Sequence, residues 1–163
     1  MDVPAKNQEE LVIIGIGDLF TGSNPMSSIG LGSCVGLVIH DPIKCIGGMA
    51  HVMLPDSGGR TERPGKFADT AVETLVSELI GKGCRLAIMQ AKIAGGAAMF
   101  KTFSENLNIG ERNVNAIREC LKDRKIPIIA EDVGGCTGRT IVYHPTCAGK
   151  LMIKLADGTR SEI

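Results

Sequence analysis

The chain has 163 residues, with 18 basic and 18 acidic side chains that cancel to zero formal charge at neutral pH, one Tyr, four Phe and no Trp. Nucleic-acid binding is thereby left without support, since the sequence offers neither a basic footprint nor aromatic platforms for bases. No apolar run approaches the ~18 residues of a membrane span, and the polar start ending in Glu9-Glu10 is not a secretory signal.

A cytoplasmic location is the expectation. With it, the six cysteines (34, 45, 84, 120, 136 and 147) are expected as thiols, most of them small buried hydrophobes. They form no C-x-x-C pair of the zinc-ribbon or thioredoxin type. Residues 1–10 read as a disordered N-terminal segment, and 11–163 as one domain, long enough for a core of its own.

Leu11 to Gly17 is a short apolar strand candidate, and Thr21 to Ser28 carries loop chemistry in Gly22, Asn24 and Pro25. Two apolar runs follow, Val35–Ile39 and Ile46–Ala50, joined at Asp41-Pro42 as a hairpin. The Pro55 to Arg60 stretch is loop. Apolar pairs stepping by four from Phe67/Ala68 to Leu79/Ile80 predict a helix, stopped by Gly81 and Gly83.

Arg85–Ala91 reads as a strand, and Gly95-Gly96 as a close-packed bend, because the phosphate-loop pattern is absent. Asn108 and Glu111 have capping-box spacing ahead of a second helix whose stripe is Val114, Ile117, Cys120 and Leu121. Strands are expected at 126–133, 140–143 and 150–155. Seven or eight strands clustered as hairpins, with two helices, make an α+β fold.

The chemistry concentrates between Ser28 and His51. With the hairpin turn centred between Pro42 and Ile43, Cys34 faces His51, and directly opposed side chains have Cβ atoms roughly 4.5–5.5 Å apart. A thiol beside an imidazole is a nucleophile–base pair, and an imidazolium there would lower the thiol pKa so that thiolate exists at neutral pH. Gly30 and Gly32 allow close backbone approach and expose their N–H groups, which with that of Cys34 could hold an oxyanion.

Ser28, Ser33, Asp56 and Ser57 are the candidates for a third group orienting the ring. Cys34 and His51 could equally be buried structural residues. A metal set of Cys34, His40, Cys45 and His51 does not converge, because residues 40 and 45 pair far down the ladder. His40 and His144 read as structural or exposed.

Several stretches resemble the chemoreceptor glutamine deamidase family, CheD. They are G-L-G-S-C-V-G from Gly30, H-V-M-L-P-D-S-G-G from His51 and K-F-A-D-T-A-V from Lys66. To these add A-K-I-A-G-G-A-A-M-F from Ala91, N-I-G-E-R-N-V from Asn108 and A-E-D-V-G-G from Ala130; together they extend over about Leu11 to Leu155. The resemblance implies a cysteine-hydrolase fold like that of deamidating bacterial toxins, with two packed mixed β-sheets and helices outside.

It also implies a protein-glutamine glutaminase that hydrolyses selected glutamine side chains of methyl-accepting chemoreceptors. In that reading Cys34 and His51 are catalytic, and Ser28 stands where the family usually has Thr. Gly32 and Ser33 lie at the oxyanion or substrate-binding position. No metal or cofactor is implied. Chemoreceptors and a CheC-type phosphatase are the implied partners, the latter able to make the chain a binding module. An ester-hydrolysing relative on the same scaffold would share the tetrahedral intermediate.

Overall fold

Burial along the strands sets the layering. The computed structural model describes residues 9–99, 108–146 and 148–163. Most of the expected 1–10 segment, and Cys147, lie outside them. Strand β4 (Val35–Asp41) is buried at every position, the signature of a strand covered on both faces. Val35, Leu37 and Ile39 point into one apolar cluster, shared with both helices, while Val38 points into a second.

Two five-stranded sheets face each other. In chain order the elements are β1 (Val12–Ile13), β2 (Leu19–Gly22), β3 (Met26–Leu31), β4 and β5 (Ile46–Val52). Helix α1 (Ala68–Gly81), β6 (Gln90–Gly95), helix α2 (Ile109–Asp123) and β7 (Ile128–Val133) follow. The chain closes with β8 (Arg139–His144), β9 (Lys150–Leu155) and β10 (Arg160–Glu162). One sheet runs β1-β3-β8-β9-β10 and the other β2-β5-β4-β6-β7. Each is mixed, through a parallel β1–β3 pair and a parallel β6–β7 pair.

Both helices pack on the β4 sheet's far side, where Leu75, Leu79, Ile117 and Leu121 join Leu37, Ile39 and Ile93. The fold is α+β, with helix, sheet, sheet layering. The α2 cap forms as its sequence predicts, with Asn108 Oδ1 accepting from Glu111 N at 3.1 Å.

Four local expectations are corrected. The apolar 11–17 run forms only a two-residue strand. The 21–28 loop contains the end of β2 and the start of β3, because long-range pairing with β5 and β8 supplies what local propensity does not. The strand expected at 85–91 begins at Gln90, preceded by a 3₁₀ turn at Leu86–Ile88. A tenth strand, β10, pairs with β9 although all its residues are exposed.

Candidate active site

The β4–β5 hairpin carries the site, in a register shifted by two residues from the expected one. Asp41 pairs with Ile46 and Gly36 with His51, so His40 meets Gly47 instead of Cys45. The cause is the turn. It is a four-residue loop, Pro42–Cys45, in which the Asp41 carboxylate accepts from Ile43 N and Lys44 N at 2.9 Å each and Cys45 adopts a left-handed φ of 54°.

A shift of two leaves every side chain on its own face. Cys34, just ahead of β4, therefore keeps the side that Gly36 and His51 share, as a diagonal instead of a direct neighbour. That side is the layer between the sheets, where half-buried Cys34 packs on the cluster containing Ile14, Met26, Met49 and Ile141.

His51 is 2% exposed, and both its backbone groups are held by the Gly17–Asp18 segment, Gly17 N donating to its carbonyl and its own N–H donating to Asp18 O. Its ring Nδ1 lies 3.4 Å from the Ile14 carbonyl. A carbonyl only accepts, so Nδ1 carries the proton and Nε2 carries the lone pair. Nε2 is buried and has no partner among the described residues. Burial pushes the ring's pKa below its ordinary value, outweighing the Ile14 carbonyl and Asp18, which push it up. The ring is a neutral base.

The Cys34 thiol moves the opposite way, raised by burial. Desolvation penalises the charged form of each group.

Ser28 is fully buried on β3. Its hydroxyl donates to the same Ile14 carbonyl at 3.0 Å and lies 3.5 Å from Met49 Sδ. It meets the ring through a shared acceptor, not by a bond of its own. Of the other orienting candidates, the Ser57 hydroxyl donates to Asp69 Oδ2 at 2.7 Å, and Asp56 Oδ1 accepts from Gly58 N at 2.8 Å. Both belong to the turn ahead of α1. The Ile14 carbonyl is a backbone group, with no side-chain signal in the sequence.

The Gly32–Cys34 loop is held by its carbonyls. Gly32 O accepts from Ala97 N at 2.9 Å, Ser33 O from Asn113 Nδ2 at 3.0 Å, and Cys34 O from Gly96 N at 2.9 Å. Among the described residues no hydrogen bond occupies the N–H groups of Gly32, Ser33 or Cys34. Gly95 and Gly96, at φ 116° and 67°, make this possible: a Cβ on Gly95 would collide with the Cys34 carbonyl, and one on Gly96 with Val114 and the Gly110 carbonyl. The double glycine is thus a close-packing device, as its sequence suggests. Cys34, Cys45, Cys84, Cys120 and Cys136 are free thiols.

The arrangement can deliver a sulfur to an electrophilic carbon, accept the thiol proton on a preset nitrogen and stabilise a developing oxyanion by backbone donors.

Comparison with known proteins places the chain among chemotaxis proteins. The family model described as CheD chemotactic sensory transduction matches residues 53–155, a span that opens just after His51. A chemoreceptor glutamine deamidase CheD from Thermotoga maritima is 48% identical over 153 residues, covering 93% of this chain and 96% of that one. A protein named probable chemoreceptor glutamine deamidase CheD from Clostridium botulinum strain Hall is 47% identical over 148 residues, covering 86% and 90%.

Proposed function

The chain belongs to the CheD family, and on that premise we propose that it deamidates glutamine side chains of chemoreceptors, with Cys34 as nucleophile and His51 as base. The supporting observation is the buried Nε2 of His51, without a partner among the described residues and fixed as a lone pair by the Ile14 carbonyl on the sheet face that Cys34 shares.

The Cys34 thiol gives its proton to His51 Nε2 as sulfur bonds to the glutamine side-chain carbonyl carbon. The carbonyl oxygen, now anionic, is held by the N–H groups of the Gly32–Cys34 loop. Collapse of this intermediate breaks the C–N bond, and the proton on His51 goes to the departing amine, releasing ammonia and leaving a thioester. Water then loses a proton to His51, attacks the thioester carbon and expels the Cys34 sulfur, which is reprotonated. The product is glutamate. Ser28 holds the Ile14 carbonyl that aims the ring.

Because the base is neutral at rest, the proton moves during attack instead of before it, and no standing thiolate is required. The protein would act from the cytoplasm. Among the described residues no helix is long and apolar enough to cross a membrane.

The test is mass spectrometry of receptor fragments after incubation. Amide-to-acid conversion at specific glutamines with wild type, and none with Cys34→Ala, supports the reading; conversion undiminished in Cys34→Ala ends it. A CheC-type phosphatase docking on the same Cys34 face would compete with receptor. Receptor fragments that fail to slow its binding would contradict a shared surface.

A further inference from the structure

Asn113 is a polar residue in a position its helix reserves for the core. On α2 it stands four residues before Ile117 and eight before Leu121, in one buried line, and it is fully buried itself. Its side-chain nitrogen donates twice, to the Ser33 carbonyl and to the Met53 carbonyl, each at 3.0 Å. Both partners can only accept, so the atom between them must be the NH₂ group, and the amide orientation is set by chemistry.

One of these carbonyls belongs to the residue before Cys34, and the other lies two residues after His51. The side chain therefore ties the loop carrying the thiol to the strand end carrying the base.

The consequence lies in the peptide plane. In a trans peptide the carbonyl of one residue and the N–H of the next point in opposite directions across a rigid unit. Fixing the Ser33 carbonyl therefore fixes the Cys34 N–H, the backbone donor nearest the attacking sulfur. On the other side of Ser33, the Ala97 bond to the Gly32 carbonyl does the same for the Ser33 N–H. The Ala97 tether comes from backbone, whereas the Ser33 tether comes from one side chain and can be removed by substitution.

We propose that Asn113 is the positioning residue of the oxyanion site, holding the Ser33–Cys34 peptide so that the Cys34 N–H faces the reacting carbonyl oxygen. The inference rests on the deamidase reading for its catalytic half, while the restraint on the peptide stands independently of it.

Asn113→Ala is compared with wild type in two measurements on the full chain. The first is the ¹⁵N order parameter of the Cys34 amide, expected near about 0.85 in wild type and below about 0.6 in the variant. The second is steady-state deamidation of a receptor fragment, where kcat is expected to fall about 10- to 100-fold with KM unchanged. Alkylation of Cys34 by iodoacetamide, which develops no oxyanion, should change far less than kcat.

Ile117→Val controls for loosened packing on the same helix and should keep wild-type kcat. If Asn113→Ala does not fold, Asn113→Ser, which keeps one donor, carries the same comparison. An unchanged Cys34 order parameter overturns the proposal. So does a mobile amide with undiminished kcat, or an equal loss of kcat in Ile117→Val. If wild type leaves receptor glutamines intact, the deamidase reading fails, and the order parameter alone decides whether Asn113 holds the loop.

Discussion

The two ends of the β4–β5 hairpin each bury a histidine between the sheets, and the contrast between them shows what the proposed base at His51 has that His40 lacks. His51 and His40 are both almost inaccessible, both have a bonded Nδ1, and both leave Nε2 without a partner among the described residues. Burial lowers the pKa of each.

The difference lies in the partner and the room beyond the ring. His40 bonds the Tyr143 hydroxyl, which can donate or accept, so its tautomer is not dictated. Gly149 walls it in so closely that a Cβ there would lie 3.0 Å from Nε2. His51 bonds a carbonyl, which dictates Nδ1–H, and it shares its face with a half-buried thiol and a loop whose N–H groups have no partner among the described residues. Burial alone makes a structural histidine. A one-way acceptor that leaves a lone pair on the face of a thiol is what the proposed catalytic role of His51 requires.

Substitution at the two ends breaks the comparison most sharply. His51→Ala is expected to lower kcat about 10²- to 10⁴-fold, the range for loss of a general base, as measured by steady-state deamidation. His40→Ala should leave kcat near wild type and lower stability instead. It strands the Tyr143 hydroxyl, which is buried and raised in pKa by that burial, at about 1–3 kcal/mol for an unpaired buried group, read by denaturant unfolding. Equal kcat losses at both ends would erase the distinction.

The pH dependence comes next in size. His51 has a depressed folded pKa, so the acid limb of kcat/KM should fall below about 6.5, the ordinary histidine value, and activity should be level through neutrality. For stability the sign is the same at both ends. The unfolded chain takes up protons at His40 and His51 before the folded one does, so the stabilisation is complete above about 6.5 and is lost as pH falls from there through the depressed folded values. The raised Cys34 pKa acts oppositely: its stabilisation is present below the ordinary thiol value near about 8.5 and is lost as pH rises through the folded value. Thermal melts across pH would check both limbs.

The smallest effect is expected at Ser28. Ser28→Ala removes one of the two donors on the Ile14 carbonyl and leaves the His51 bond in place. The loss should be about 0.5–1.5 kcal/mol of stability, with kcat reduced only modestly. A kcat loss as large as that of His51→Ala would mean that Ser28 reaches the ring or substrate directly.

The helices were readable because their apolar residues recur at fixed spacing, and the Asn108–Glu111 pair announced its own cap. The α+β class followed from the hairpins. The register did not, because the Asp41–Ile46 turn depends on an Asx bond and a left-handed Cys45, and neither pattern is forced by Asp-Pro. A two-residue offset preserves the sheet face, so the sequence puts Cys34 and His51 on one side, although in the structure His51 lies opposite Gly36.

Whether Cys34 and His51 carry charge depends on desolvation, which no spacing in the sequence reports. Ile14 was invisible because its role is carried by a carbonyl. Asn113 did leave a signal, a polar amide in line with Ile117 and Leu121, where an apolar helix face has reason to hold one only if it bonds something buried.

The most direct measurement is the protonation of the His51 ring, by ¹⁵N NMR of the imidazole at neutral pH with His40 in the same spectrum. The account predicts a neutral His51 with its proton on Nδ1 and an unprotonated Nε2. An imidazolium at neutral pH, or a proton resting on Nε2, would contradict it.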